Sequence, residues 1–145
     1  MKKHLKIFAL LLVAGVMLTG CGRSERTLEC TGEIDGMTAA INATFRNDEL
    51  RDLTMTIDMD FSDFAALGPD VLDEIKELFP SACDEFDFEG VTCRTNVANN
   101  VGTITVEVDV ENASDQALRA LDMFGEDLTY EVNRADLEDQ GFVCN

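Results

Sequence analysis

From Leu28 onward, apolar and polar residues alternate with a period of two. Leu28, Cys30, Gly32 and Ile34 interleave with Glu29, Thr31 and Glu33, the pattern of a strand with one face on a core and the other in water. Asp35-Gly36 predicts a two-residue hairpin turn, because both positions tolerate positive φ. A second strand sets Met37, Ala39, Ile41, Ala43 and Phe45 against Thr38, Ala40, Asn42, Thr44 and Arg46, and Asn47-Asp48-Glu49 supplies the next turn. The third sets Leu53, Met55, Ile57, Met59 and Phe61 against Thr54, Thr56, Asp58 and Asp60. Three strands joined by tight turns predict an antiparallel meander with one polar face.

The period changes at Ser62, a candidate helix N-cap. Phe64, Leu67, Val71, Leu72, Ile75, Leu78 and Phe79 recur at helical spacing, interrupted by Gly68-Pro69. Pro69 suits a first helical position, so the main helix is expected to start there, with Pro80 closing it. Residues 84–89 are expected to form a strand or an irregular loop. Val91, Cys93, Thr95 and Val97 then mark a strand, Asn99-Asn100 a left-handed turn, and Gly102, Ile104, Val106, Val108 and Val110 the returning strand. Ser114 can cap a helix carrying Ala117, Leu118, Leu121 and Phe124, with Gly125 as its stop. A last helix is expected over about 130–140, ended by Gly141, before Phe142-Val143-Cys144 returns to the sheet or helix layer. The fold class expected is α+β: an antiparallel sheet, meander plus hairpin in the order β-β-β-α-β-β-α-α, with helices packed on one face.

The first twenty residues are of another kind. Lys2, Lys3 and Lys6 precede an apolar run from Ile7 to Leu18. As a helix this run is about 18 Å long, short of the roughly 30 Å hydrocarbon core of a bilayer. A basic start, a short apolar stretch and small residues describe a secretory signal. The run ends Leu18-Thr19-Gly20-Cys21, which resembles the lipobox of bacterial lipoproteins. The resemblance implies diacylglycerol on the Cys21 thiol, cleavage before it, and anchoring at the extracytoplasmic face of a bacterial cell membrane. Two acyl chains hold a protein there where one does not. The competing reading is an ordinary secretory signal with a chance cysteine. The organisation expected is a signal peptide over 1–20, a lipidated cysteine and tether over 21–26, and a single α+β extracytoplasmic domain over 27–145.

Removing the leader sharpens the charge. Eight basic side chains then face 29 acids, a net of about −21. Such a body repels nucleic acid and anionic head groups, and suits a cationic partner, divalent cations, or solubility alone. The only histidine, His4, leaves with the leader. That removes Ser-His-Asp and Cys-His catalysis and His-ligated zinc from the mature chain. The composition therefore points away from an enzyme and calls for no cofactor.

Cys30, Cys83, Cys93 and Cys144 remain beside Cys21, an even number that implies two disulfides outside the cell. Cys30 and Cys144 lie near the two ends of the folded part, which favours pairing them. Cys83 and Cys93 then flank a short acidic segment. A four-thiolate metal site is the alternative, without the C-x-x-C pairs such sites use. The acids Asp84, Glu85, Asp87 and Glu89 inside the Cys83–Cys93 loop are candidate ligands for a calcium-type ion, and Asp58, Asp60 and Asp63 form a second cluster. Neither matches an EF-hand, and solvated charge explains both. Met37, Met55, Met59 and Met123 suggest soft-metal ligands, but Met55 and Met59 share a strand face with Leu53, Ile57 and Phe61, so core filling explains them better.

Four stretches stand out along the chain: the lipobox at 18–21, Leu28-Glu29-Cys30, Thr44-Phe45-Arg46-Asn47-Asp48 with the Met-containing strand after it, and Asp136-Leu137-Glu138-Asp139-Gln140-Gly141-Phe142-Val143-Cys144. Through them the whole chain resembles the YehR-type family of small bacterial lipoproteins, a group of uncharacterised function. The resemblance implies surface anchoring and a compact domain, and transfers no catalytic residue. The function expected is therefore a non-enzymatic, membrane-anchored domain that binds an envelope protein or small ligand through its polar sheet face or acidic loop. An acidic metal-ion binder and a passive surface protein are the alternatives.

Overall fold

A computed structural model describes residues 24–123 and 126–145. Cys21 lies outside them, as do Phe124 and Gly125. The alternating segments form β1 (Glu25–Ile34), β2 (Met37–Arg46) and β3 (Glu49–Asp60), then β4 (Val91–Ala98) and β5 (Val101–Asp109). Three tight turns join them, and each takes the left-handed backbone that its residues permit. Asp35 and Gly36 have φ of 50° and 82°, Asn47 and Asp48 of 53° and 66°, Asn99 and Asn100 of 51° and 62°. Asparagine, aspartate and glycine reach this region at the least steric expense, so the turns fix strand register as well as direction.

The sheet is six-stranded and antiparallel, in the order β4-β5-β3-β2-β1-β6. The β4–β5 hairpin docks through β5, so β5 rather than β4 lies beside β3. The sixth strand, β6, is only Val143–Cys144, and pairs with β1 so that Cys144 faces Cys30. The two sulfurs are bonded, as are those of Cys83 and Cys93; both expected pairings are present.

One face of the sheet is the core. Leu28, Cys30, Ala39, Ile41, Ala43, Phe45, Val106 and Val108 are buried on it. Each fully buried Leu, Val or Phe there contributes about 1.5–3 kcal/mol. The Tyr130 and Phe45 rings meet edge to face at 5.3 Å between centroids. This docks α3 (Tyr130–Asp139) over β1 and β2. At the other side, Gly102 leaves room for Phe61 and Phe79, whose rings meet edge to face at 5.2 Å. A Cβ on residue 102 would lie 2.6 Å from both rings, so the absence of a side chain there creates the aromatic socket.

The helical segments depart from the sequence reading in instructive ways. Ser62 caps nothing through its side chain. A 3-10 segment, Ser62–Leu67, begins there, and the Ser62 N–H donates to the Asp60 carboxylate at 2.8 Å. The main helix, α1 (Pro69–Leu78), starts at Pro69 as expected but buries none of its residues. A second 3-10 segment, Phe79–Phe86, covers the sheet in its place, through Phe79 and the bridge from Cys83 to β4. The acidic residues 84–89 thus finish a 3-10 turn and an irregular link rather than a strand. The helix after Ser114, α2, is Asp115–Ala120. It ends before the expected Gly125 stop, because Asp122 already turns left-handed at φ 58°.

Ser114 does cap α2, accepting the Ala117 N–H on its hydroxyl at 3.2 Å. The helix has only six residues, so one orphan donor is a large share of its end. Ser114→Ala is expected to lower the unfolding free energy by about 1 kcal/mol, read from the urea midpoint. Ser114→Asp should retain most of it, and equal losses for both would show that the hydroxyl does not cap.

Candidate binding surface

The second face of the sheet carries the polar half of every alternation, and the sheet register arranges it in rows. Thr31, Ala40, Thr56, Thr105 and Arg94 lie side by side across five strands. The next row on one side is Glu33, Thr38, Asp58, Thr103 and Asn96, and on the other Glu29, Asn42, Thr54, Glu107 and Thr92. β-branched threonine is at home in strands and presents one hydroxyl that both donates and accepts. The rows therefore offer a broad surface of hydroxyls, amides and carboxylates, held rigid by the ladders beneath.

Some of these groups already have partners. Thr103 donates its hydroxyl to Asp58 at 2.6 Å, and Arg94 pairs with Glu107 at 2.6 Å. Other carboxylates are set against like charge: Asp52 stands directly opposite Asp109, an arrangement that is destabilising without a cation between. Near that end the face dips into an open hollow lined by Asp52, Thr54, Gly90, Thr92, Glu107 and Asp109. Arg51 sits on the core-side rim, bound to both Glu49 and Glu111. The Arg94–Glu107 pair is solvent-exposed and contributes little to stability, whereas the Arg51 side chain is half-buried. The effect of these arginine pairs is to consume cations and leave the remaining acids uncompensated.

Asp60, at the end of β3, is held below the ordinary carboxylate range by the Ser62 hydroxyl and then by the Ser62 backbone N–H. Arg134 is held above its usual value by its hydrogen bond to Glu138 one turn away. Both are effects of near neighbours in the chain, and neither sets up an acid and base across a cleft.

Cys30 and Cys144 join β1 to β6; Cys83 and Cys93 tie the second 3-10 segment to β4. Asp84, Glu85, Asp87 and Glu89 are all exposed, strung along the end of that segment and the link to β4. Among the described residues no three His, Cys, Asp or Glu side chains converge in a way that could hold a metal ion. Met55 and Met59 lie on the core side of β3, half-buried with Leu53 and Ile57, and Met123 is buried in the main core. The row structure of the polar face was missed in the sequence, because it depends on the β3–β5 register, which no local signal specifies. Also missed was the stacking of Arg26 on the Tyr130 ring, 3.6 Å from the guanidinium carbon to the centroid.

No protein-family model matches the chain, and no curated protein matches it. Among solved structures, the NMR structure of the E. coli YehR protein superposes with a TM-score of 0.64 at 17% identity, covering 85% of this chain and 92% of that one. The NMR structure of a Streptococcus pneumoniae protein superposes with a TM-score of 0.52 at 11% identity, covering 94% of this chain and 92% of that one. The fold is therefore YehR-like.

Proposed function

Starting from the YehR-like fold, we propose that the chain is a lipoprotein of the YehR type. It is exported, acylated on Cys21, and held at the extracytoplasmic face of a bacterial membrane. Its domain there is a non-enzymatic binding module that engages an envelope protein or small ligand through the polar sheet face. The single observation that supports this best is the uncovered face itself: five strands present hydroxyl, amide and carboxylate side chains in register. Phe79, Ala117, Tyr130 and both disulfides serve the opposite face. A rigid, hydrogen-bonding plane of this kind lowers the ordering penalty of association.

Two measurements test it. Intact-mass analysis of the protein from its native cells should find a chain beginning at Cys21 with a diacylglyceryl mass added, and Cys21→Ser should take up no labelled palmitate. A full-length cytosolic chain with reduced thiols would end the proposal. For binding, a photo-reactive residue in place of Thr56, at the centre of the face, should give a discrete adduct in living cells. The same residue in place of Gln116 on α2 should not. Equal labelling from both positions, or none from either, would argue against the sheet face.

A further inference from the structure

The segment from Ser62 to Leu78 is built unlike the rest of the fold. Every residue of its 3-10 turn is exposed, although Phe64, Ala65, Ala66 and Leu67 are apolar. Among the described residues, four large apolar side chains are exposed: Phe64 (41%), Leu67 (68%), Leu78 (61%) and Val143. Three of them fall within these seventeen residues. α1 repeats Val71, Leu72, Ile75 and Leu78 at helical spacing, and a stripe of this kind ordinarily lies on a core. Here it packs chiefly on the two 3-10 segments, and Val71, Leu72 and Ile75 are only half-buried. Exposed apolar side chains recurring along one segment and set among charges are the mark of an interaction site.

The frame specifies the occupant. Residues 62–78 carry five carboxylates and one cation, Lys76. That excess opposes nucleic acid, anionic lipid and a second copy of the same arm, since each would bring like charge to it. A partner with apolar anchors and a cationic flank satisfies both features at once.

We infer that the arm formed by Ser62–Leu67 and α1 is the docking site for a cationic amphipathic helix of a protein partner. The surface lies apart from the polar sheet face, so this inference and the proposed function succeed or fail separately. α1 spans about 15 Å, enough to meet three turns of a partner helix. Apolar anchors at i, i+3, i+4 and i+7 of that helix would meet Phe64, Leu67 and Leu78, while its lysines or arginines face Asp63, Asp70, Asp73 and Glu74. The acids would speed encounter and make binding depend on salt; the apolar contacts would hold the complex.

The test uses the full-length protein in phosphatidylcholine nanodiscs, or in buffer if no lipid is attached. The probe is a fluorescent 18-residue Leu/Lys amphipathic peptide, with a scrambled peptide of identical composition as control. Anisotropy should show binding to the native sequence that the scrambled peptide lacks. The L67S/L78S double variant should weaken it by about tenfold, because two anchors are lost. Both side chains are exposed, so the thermal midpoint of the variant should match wild type. Raising salt from 0.1 to 0.5 M should weaken binding several-fold as the screening length shrinks. Equal affinity for the scrambled peptide, or unchanged affinity in L67S/L78S, would overturn the inference. So would arm-dependent flotation with added vesicles or arm-dependent energy transfer between protein labelled in separate discs, which would assign the arm to a lipid surface or a second copy.

Discussion

Replacing Cys30 and Cys144 together by alanine is expected to lower the unfolding free energy by about 5 kcal/mol in the chain-entropy account. The bridge spans 114 residues, nearly the whole described fold, so cutting it frees an unusually large denatured ensemble. It also frees the C-terminus. β6 holds β1 by two residue pairs and by the Asn145 N–H donating to the Glu29 carbonyl at 2.9 Å. A strand that short has little independent stability. Removing Cys83 and Cys93, ten residues apart, is expected to lose about 3 kcal/mol by the same reasoning. Urea unfolding of the two double variants, with and without reductant, checks both numbers. If, without reductant, the Cys30/Cys144 variant is as stable as wild type, the long bridge contributes nothing and the account fails.

Gly90→Ala is the second large loss, about 3 kcal/mol or more, the range of a clash that a core cannot relieve. Gly90 has φ of 80°, which strains any side chain-bearing residue. The closer obstacle is backbone: an added Cβ would lie 2.4 Å from the Ala113 Cα and 2.5 Å from the Ala113 nitrogen. No rotamer change moves those atoms. The approach is fixed by two hydrogen bonds, Asp109 N–H to the Gly90 carbonyl at 2.8 Å and Ser114 N–H to the Glu89 carbonyl at 3.1 Å. They clamp the entry to β4 onto the β5–α2 connection. Gly36 is the control. It has nearly the same φ, 82°, and nothing within 4 Å of an added Cβ, so Gly36→Ala should lose only about 1 kcal/mol from the left-handed backbone. Calorimetry should place Gly90→Ala on the order of 10 °C below wild type. Equal midpoints for the two variants would show that the clamp opens freely.

The strands of this fold are legible because each alternates cleanly and is bounded by residues that accept positive φ. Asp35-Gly36, Asn47-Asp48 and Asn99-Asn100 are turns for a local reason, and a local reading finds them. The long disulfide is legible from the position of its cysteines near the two ends of the domain. What was not legible is non-local. Nothing near β5 says that it, rather than β4, pairs with β3. Nothing in the stripe Val71, Leu72, Ile75, Leu78 says that Phe79 takes its place on the sheet, since amphipathicity gives a face and not the surface that covers it. The segment before Cys83 lacks the 3.6-residue period because it is a 3-10 turn, and β6 is too short to alternate at all.

The candidate surfaces divide in the same way. The polar residues of the sheet face are evident in every strand, but their assembly into rows needs the register. Asp52 beside Asp109 is the plain case, since the two are remote in sequence and face each other only through the β3–β5 ladder. The acidic run at 84–89 is legible as charge, but its carboxylates pass from the end of a 3-10 segment into an irregular link and do not converge. The apolar residues at 64, 67 and 78 gave no warning, because at helical spacing they are indistinguishable from core.

Strand direction has one more consequence. Ser24 lies beside the β2–β3 turn, its carbonyl accepting the Asn47 N–H at 2.9 Å, while β3 runs twelve residues from that turn to Asp60. With acyl chains on Cys21, the stretch to Glu25 reaches at most about 14 Å. The Asn47-Asp48 end of the domain would then stay close to the lipid, and the far end would reach at most roughly 40 Å beyond it, the length of β3. The Ser62–Leu67 segment, which follows β3 directly, would leave from that far end.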